Sequence, residues 1–158
     1  IVLPGVGAFG RCIENLKALE LFDFIKELIA EGKLYLGICL GMQLMCRHSE
    51  ENNTPCLGIF DEQVSKFDSG KDQLKIPQIG WNNIYDLQSG LFKGISNNAY
   101  CYFVHGYYAA NDEHAIAKTD YIQSYSSALV HKNFYGVQFH PEKSADVGSM
   151  ILKNFLGI

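Results

Sequence analysis

No surplus of positive charge marks this 158-residue sequence: 13 lysines and arginines face 17 aspartates and glutamates, for a net charge of -4. A polynucleotide backbone calls for a basic stripe or patch, and the cations here are scattered, so nucleic acid is disfavoured as a partner. No apolar run approaches the roughly 20 residues of a helical membrane span, and no basic segment with an apolar h-region opens the chain. A cytoplasmic protein with no membrane partner is expected. Cys-x-x-Cys spacing is missing too. The five cysteines, Cys12, Cys39, Cys46, Cys56 and Cys101, are an odd set that implies neither a closed disulfide framework nor a zinc knuckle. A reducing compartment suits them. There is no internal repeat and no low-complexity stretch. With 47% hydrophobic and 19% charged residues, the chain has the composition of an ordinary globular domain, and its length predicts one domain over 1–158.

The residues that are present fall into patterns. Ile1-Val2-Leu3 is a short apolar run stopped by Pro4-Gly5, as at the end of a buried strand. Ile13, Leu16 and Leu19, then Leu21, Phe22, Ile25, Leu28 and Ile29, recur at spacings of three and four, predicting helical faces that end at Gly32. The strand Leu34 to Ile38 follows, then a helix-like segment. This alternation argues an α/β fold with a parallel sheet flanked by helices. From Thr54 onward the pattern is of short β-rich segments, around Ile59-Phe60, Val64 to Phe67, Ile76 to Ile84, Ala99 to Ala110, Tyr121 to Tyr125 and Ala128 to His131. They predict a partly antiparallel second half. Lys132-Asn133 reads as a two-residue hairpin turn, and Val147, Met150, Ile151 and Phe155 as one face of a closing helix.

Cys39 ends the apolar run Leu34 to Ile38 and stands between Gly37 and Gly41. A free cysteine on a strand is commonly plain packing. The flanking glycines favour a different reading, a nucleophile elbow, because a sharp strand-to-helix turn needs residues without Cβ where backbones approach closely. A helix starting at Leu40 would add a partial positive charge that favours thiolate over thiol. One hundred residues on, the strand Tyr135 to Phe139 ends in His140-Pro141-Glu142, a base and a carboxylate able to orient it. Cys39, His140 and Glu142 therefore read as a hydrolytic triad. His48, His105, His114 and His131 lack a carboxylate at useful spacing, and His105 is expected to be structural in a strand near the site.

Gly5-Val6-Gly7-Ala8-Phe9-Gly10 formally matches the dinucleotide fingerprint G-x-G-x-x-G. Pro4 crowds that turn, however, and Glu20 and Asp23 fall on a predicted helix instead of the tip of a second strand, where a ribose-binding acid belongs. The preferred reading is a turn whose backbone amides, with that of Leu40, face a developing oxyanion. No cofactor and no metal are expected.

Taken together, Pro4 to Phe9, Gly37 to Gln43 and Gly136 to Ser144 resemble the class I, triad-type glutamine amidotransferases. Gly80-Trp81-Asn82, Tyr102 to His105 and Met42 narrow the likeness to the glutaminase subunits of imidazole glycerol phosphate synthases of histidine biosynthesis. The resemblance implies a flavodoxin-like, mainly parallel sheet with an antiparallel extension. It implies that the Cys39 thiolate attacks the side-chain amide of L-glutamine, that amides near Val6, Gly7 and Leu40 receive the oxyanion, and that Gly5, Gln43, Gly106 and Tyr107 hold the substrate. It also implies a (β/α)8-barrel synthase as partner in a heterodimer, faced by Trp81, Tyr102 and Lys143, into which ammonia is channelled. Glutaminase activity in the family depends on the partner's ligand, so the Gly5 to Gly7 turn is expected to rearrange.

Members of that family begin with about 40 further residues before the position of Ile1, so the chain reads as lacking the first part of the family fold. Gln78-Ile79 replaces the commoner His-Met, and Gly106 stands where a small hydroxyl residue is usual. Those departures leave room for a paralogue serving bacterial surface-sugar biosynthesis. Two readings of other classes stand beside it, a nucleotide-binding module on Gly5 to Gly10 and a non-catalytic assembly domain docking through Lys143 and its aromatic neighbours.

Overall fold

The computed structural model describes residues 1–5, 7–70, 74–111 and 113–158. Strand β1 (Val2–Gly5) is followed by helices α1 (Phe9–Ala18) and α2 (Leu21–Ala30), strand β2 (Tyr35–Cys39) and a single turn of helix, α3 (Leu40–Gln43). The apolar spacing after Gly10 thus belongs to two helices. The three-four rhythm breaks between Leu19 and Leu21, and there Glu20 takes a left-handed φ of 58° that ends the first helix. Ile13 and Leu16 from α1 and Ile25 from α2 are buried against the sheet.

The second half is built of short strands, as its alternation predicts: β3 (His48–Ser49), β4 (Thr54–Pro55), β5 (Gln63–Lys66), β6 (Gln78–Ile84), β7 (Ala99–His105), β8 (Tyr107–Ala109), β9 (Ala115–Tyr121), β10 (Gln123–His131) and β11 (Phe134–Val137), before helix α4 (Ala145–Leu156). Several boundaries differ from expectation, and Ala99 to Ala110 is divided at Gly106 into β7 and β8. Ile59-Phe60 forms bends, and the segment Tyr121 to Tyr125 is a β9–β10 reversal in which Ile122 adopts a φ of 63°. The β10–β11 hairpin turns at Lys132-Asn133, as read. On α4, Ile151 and Phe155 are buried while Met150 is exposed.

In the main sheet β2 lies between β1 and β11 and is parallel to both. Beyond β11 the pairings of β10 with β9, β11 and β8 are antiparallel, and β6 pairs with β7 as a separate two-stranded ribbon. A central parallel strand is covered on both faces, so every residue of β2 is buried. Leu36 and Ile38 enter one core cluster with Val137, Phe139, Ile151 and Phe155, whereas Tyr35 enters the other with Phe9, Ile13, Leu16 and Phe134. This placement sets Cys39 at the carboxyl end of the central strand, where sites of α/β sheets collect.

Candidate active site

Gly37 and Gly41 permit the close approach that forms the elbow. A Cβ on Gly41 would fall on the carbonyl oxygen of Leu3 in β1, and one on Gly37 would press within 2.6 Å of the Gly41 carbonyl carbon. Gly5, opposite Cys39 in the β1–β2 register, has the same constraint, since its Cβ would come within 2.7 Å of Leu40 Cβ. Cys39 itself turns the corner with φ 53° and ψ -108°, a strained combination for a residue with a side chain. Three glycines and one forced φ hold the sulfur at the top of the sheet.

A cavity of about 330 Å³ opens over that sulfur. Cys39, His140, Gly5, Gly7, Leu40, Gln43, Gly106, Tyr107 and Lys143, all singled out from the sequence, line it. Val6 lies outside the described residues. Trp81 and Tyr102 stand beyond the cavity: the Lys143 ammonium sits 5.9 Å from the centre of the Tyr102 ring, which meets the exposed Trp81 edge-on at 6.0 Å. The three form a continuous path from the cavity wall to the exposed β6–β7 ribbon.

His140 follows β11 and is almost fully buried. Its amide donates to the Tyr102 carbonyl at 2.8 Å, and its own carbonyl accepts from the Ser144 hydroxyl at 2.6 Å, so the backbone is held from both sides. The ring Nδ1 lies 2.7 Å from Glu142 Oε1. A carboxylate oxygen can only accept, so Nδ1 carries the proton and Nε2 is left as the basic nitrogen.

The sulfur's own contacts differ from a simple Cys–His pair. The Cys39 thiol donates to the Val104 carbonyl at 3.7 Å, and the Gln138 amide nitrogen donates to the sulfur at 3.6 Å. Among the described residues no hydrogen bond joins Cys39 to His140. The expected lowering of the thiol pKa is also reversed. Burial pushes it up to about 11, with the Glu142 charge adding to the rise, while the Leu40 amide and the Gln138 side chain oppose it. The helix at Leu40 is a single turn, too short to supply the field the sequence promised.

Three residues of this site were given no role from the sequence, although Gln138 and Val104 lie within the quoted motifs. Glu51 lines the cavity, and its carboxylate accepts from the Phe9 amide at 3.1 Å. That carboxylate sits at the start of α1, where a dinucleotide would place its pyrophosphate, which argues against the nucleotide-binding reading of Gly5 to Gly10. Gln138 is wholly buried beneath the sulfur, and Val104 offers only a backbone carbonyl. His105 ends β7 as a buried strand residue, as expected, but it also faces the cavity. Its Nδ1 lies 2.7 Å from the Tyr107 carbonyl and its Nε2 lies 3.2 Å from the Tyr125 oxygen. Burial, the dominant influence, depresses its pKa to about 4.

Residues 1–157 match the family described as glutamine amidotransferase class-I. The chain belongs to this family. Among curated amidotransferases of this kind it is similar to the imidazole glycerol phosphate synthase subunit HisH of Bacteroides fragilis, with 51% identity over 99% of this chain and 78% of that protein. It is likewise 47% identical to the subunit of the same name from Escherichia coli O157:H7, over 99% of this chain and 78% of that protein. A glutamine amidotransferase structure from Thermotoga maritima shares the fold at 18% identity, with a TM-score of 0.63 over 99% of this chain and 62% of the other. As a glutamine amidotransferase the chain is an enzyme.

Proposed function

We propose that this chain is the glutaminase subunit of an imidazole glycerol phosphate synthase, hydrolysing L-glutamine to glutamate and ammonia in histidine biosynthesis. The single observation that carries the mechanism is one cavity lined by both Cys39 and the Glu142-oriented His140, together with Gly5, Gly7 and Leu40. Residues 1–158 are read as one amidotransferase domain.

Reaction begins when the Cys39 proton passes to His140 Nε2 and the thiolate attacks the side-chain carbonyl carbon of glutamine. The oxyanion that forms is received by backbone amides of Leu40 and Gly7, and the Val6 amide is assigned beside them from the sequence alone. His140 returns the proton to the departing ammonia and leaves a thioester on Cys39. A water then loses a proton to His140, attacks the thioester and releases glutamate, restoring the thiol. Glu142 keeps the ring in the required tautomer and stabilises the imidazolium between these steps. Gln43, Gly106 and Tyr107 line the substrate's position, and Glu51 brings a carboxylate suited to its ammonium group.

The ammonia is taken up by a (β/α)8-barrel synthase subunit docked over Trp81, Tyr102 and Lys143. Support for that placement is the continuity of those three side chains with the cavity wall. The test is glutamine hydrolysis by the chain with and without a barrel synthase and its ligand. Stimulated turnover that disappears in Cys39→Ala, with thermal stability retained, is the expected result. Equal turnover in the Cys39→Ala protein rejects the mechanism, and indifference to the barrel rejects the pathway.

A further inference from the structure

We infer that Gln138 is a positioning residue for the Cys39 nucleophile, with the N–H end of its amide locked toward the sulfur by an orientation that originates at one backbone carbonyl, that of Tyr107. This rests on the reading of Cys39 as nucleophile and goes beyond the triad.

A carbonyl oxygen can only accept hydrogen bonds. The Tyr107 oxygen receives Gln43 Nε2 at 2.9 Å and lies 2.7 Å from His105 Nδ1, so both of its lone pairs are engaged. The Gln43 amide is thereby fixed, nitrogen toward Tyr107. That same nitrogen reaches Gln138 Oε1 at 2.8 Å. Two NH₂ groups cannot face one another, so Gln138 must turn its oxygen to Gln43 and its nitrogen the other way. On that other side lies Cys39 Sγ, 3.6 Å distant. Both amides are buried, at 3% and 0% exposure, which makes an unpaired flip costly.

The consequence is chemical. A donor held against sulfur stabilises thiolate more than thiol. The Val104 carbonyl on the other contact does the reverse, accepting from S–H and repelling S⁻. Gln138 thus favours the reactive form in a site that burial otherwise sets against it. Both N–H groups of Gln43 are spent on protein, so its carbonyl oxygen is the atom left for a ligand. The titratable groups around the cavity are His140, His105, Lys143, Glu51 and Tyr107, with Glu142 acting on the sulfur through its charge. Gln138→Asn leaves this set as it is, whereas Gln138→Glu adds one carboxylate beside the sulfur.

The test is the pH dependence of iodoacetamide alkylation at Cys39, resolved from the other cysteines by peptide mass spectrometry, in the full chain and in Gln138→Glu and Gln138→Asn. The first variant keeps the size and, once ionised, offers sulfur only acceptors and a negative charge, and the second withdraws the amide without adding charge, so the second is the decisive one. Both are expected to raise the alkylation midpoint by about one pH unit, read as roughly tenfold slower reaction at a given pH below it. The acid limb of kcat/KM for glutamine should move the same way. Midpoints that stay put in folded variants overturn the inference. Should both variants fail to fold, the side-chain amide resonances of Gln138 in the unaltered protein decide, because they must shift when Cys39 is alkylated and a null shift rejects the contact. Alkylation needs no turnover, so its outcome is separable from loss of glutaminase activity in Cys39→Ala.

Discussion

Cys39 and His140 face one cavity, yet the thiol hydrogen of Cys39 is directed at the Val104 carbonyl 3.7 Å away. The protonated thiol is the form that this contact favours, and burial raises its pKa to about 11. Alkylation of Cys39 in the unliganded chain is therefore expected to be slow at pH 7 and to climb steeply as pH rises through 11, as stopped-flow alkylation would measure. The same shift has a stability consequence. The folded value exceeds the ordinary thiol value of 9.0, so the unfolded chain releases the proton first. Stability from this group is full below pH 9 and falls as pH rises through 11.

Glu142 acts on His140 through one 2.7 Å contact while remaining 47% exposed at its side chain. Its charge supports the imidazolium, but little of the fold leans on it. Glu142→Gln is expected to lower kcat by about 10²- to 10⁴-fold while the unfolding free energy from urea denaturation changes by no more than about 0.5 kcal/mol. A variant that keeps full activity would remove Glu142 from the reaction.

Glycines in this protein divide sharply by what surrounds them. At Gly41 a methyl group would strike the Leu3 carbonyl, which is β1 backbone and cannot give way. Gly41→Ala should cost about 3 kcal/mol or more in urea denaturation. At Gly106 the nearest atoms to an added Cβ are Ile76 Cγ2 at 3.7 Å and Pro77 Cβ at 3.8 Å, ordinary contact distances. Gly106→Ser should stay within about 0.5 kcal/mol of the parent. Equal costs at the two sites would contradict the packing described for the elbow.

The parts of the site that the sequence disclosed are those fixed by local chemistry. Gly37, Cys39 and Gly41 announce a tight turn because only glycine admits the backbone contact, and His140-Pro141-Glu142 places a base and its carboxylate two residues apart. The roles of Glu51 and of the Gln138 amide were not legible, although Gln138 lies in a quoted motif, because they arise from approach across 42 and 99 residues of chain. Nothing in the neighbours of Glu51 sets it apart from a surface acid, and the motif around Gln138 does not say which way its amide faces. The burial that pushes the Cys39 thiol up is hidden for a related reason: it is a property of the packed sheet, whereas the elbow motif speaks only of exposure to substrate. The fold was similarly uneven. The β2 strand and the β10–β11 turn have strong signals in apolar runs and turn residues. The break between α1 and α2 rests on one left-handed residue, Glu20, whose side chain gives no hint of it.

His105 owes its chemistry to burial. Its ring is enclosed by the strands around the cavity, donates from Nδ1 to the Tyr107 carbonyl, and has its pKa depressed to about 4, chiefly by desolvation and further by nearby His140. The unfolded chain binds the proton near pH 6.5 and the folded chain only near 4, so stability from this group is full above 6.5 and is lost as pH falls through 4. The loss is on the order of 3 kcal/mol, about one proton taken up on unfolding across that window. His105→Asn removes the titration. The slope of unfolding free energy against pH, measured by urea denaturation between pH 4 and 6.5, should therefore be shallower in the variant by about one proton equivalent. Parallel slopes would show that the imidazole is free to charge in the folded protein, and the neutral ring that anchors the Tyr107 carbonyl would have to be given up.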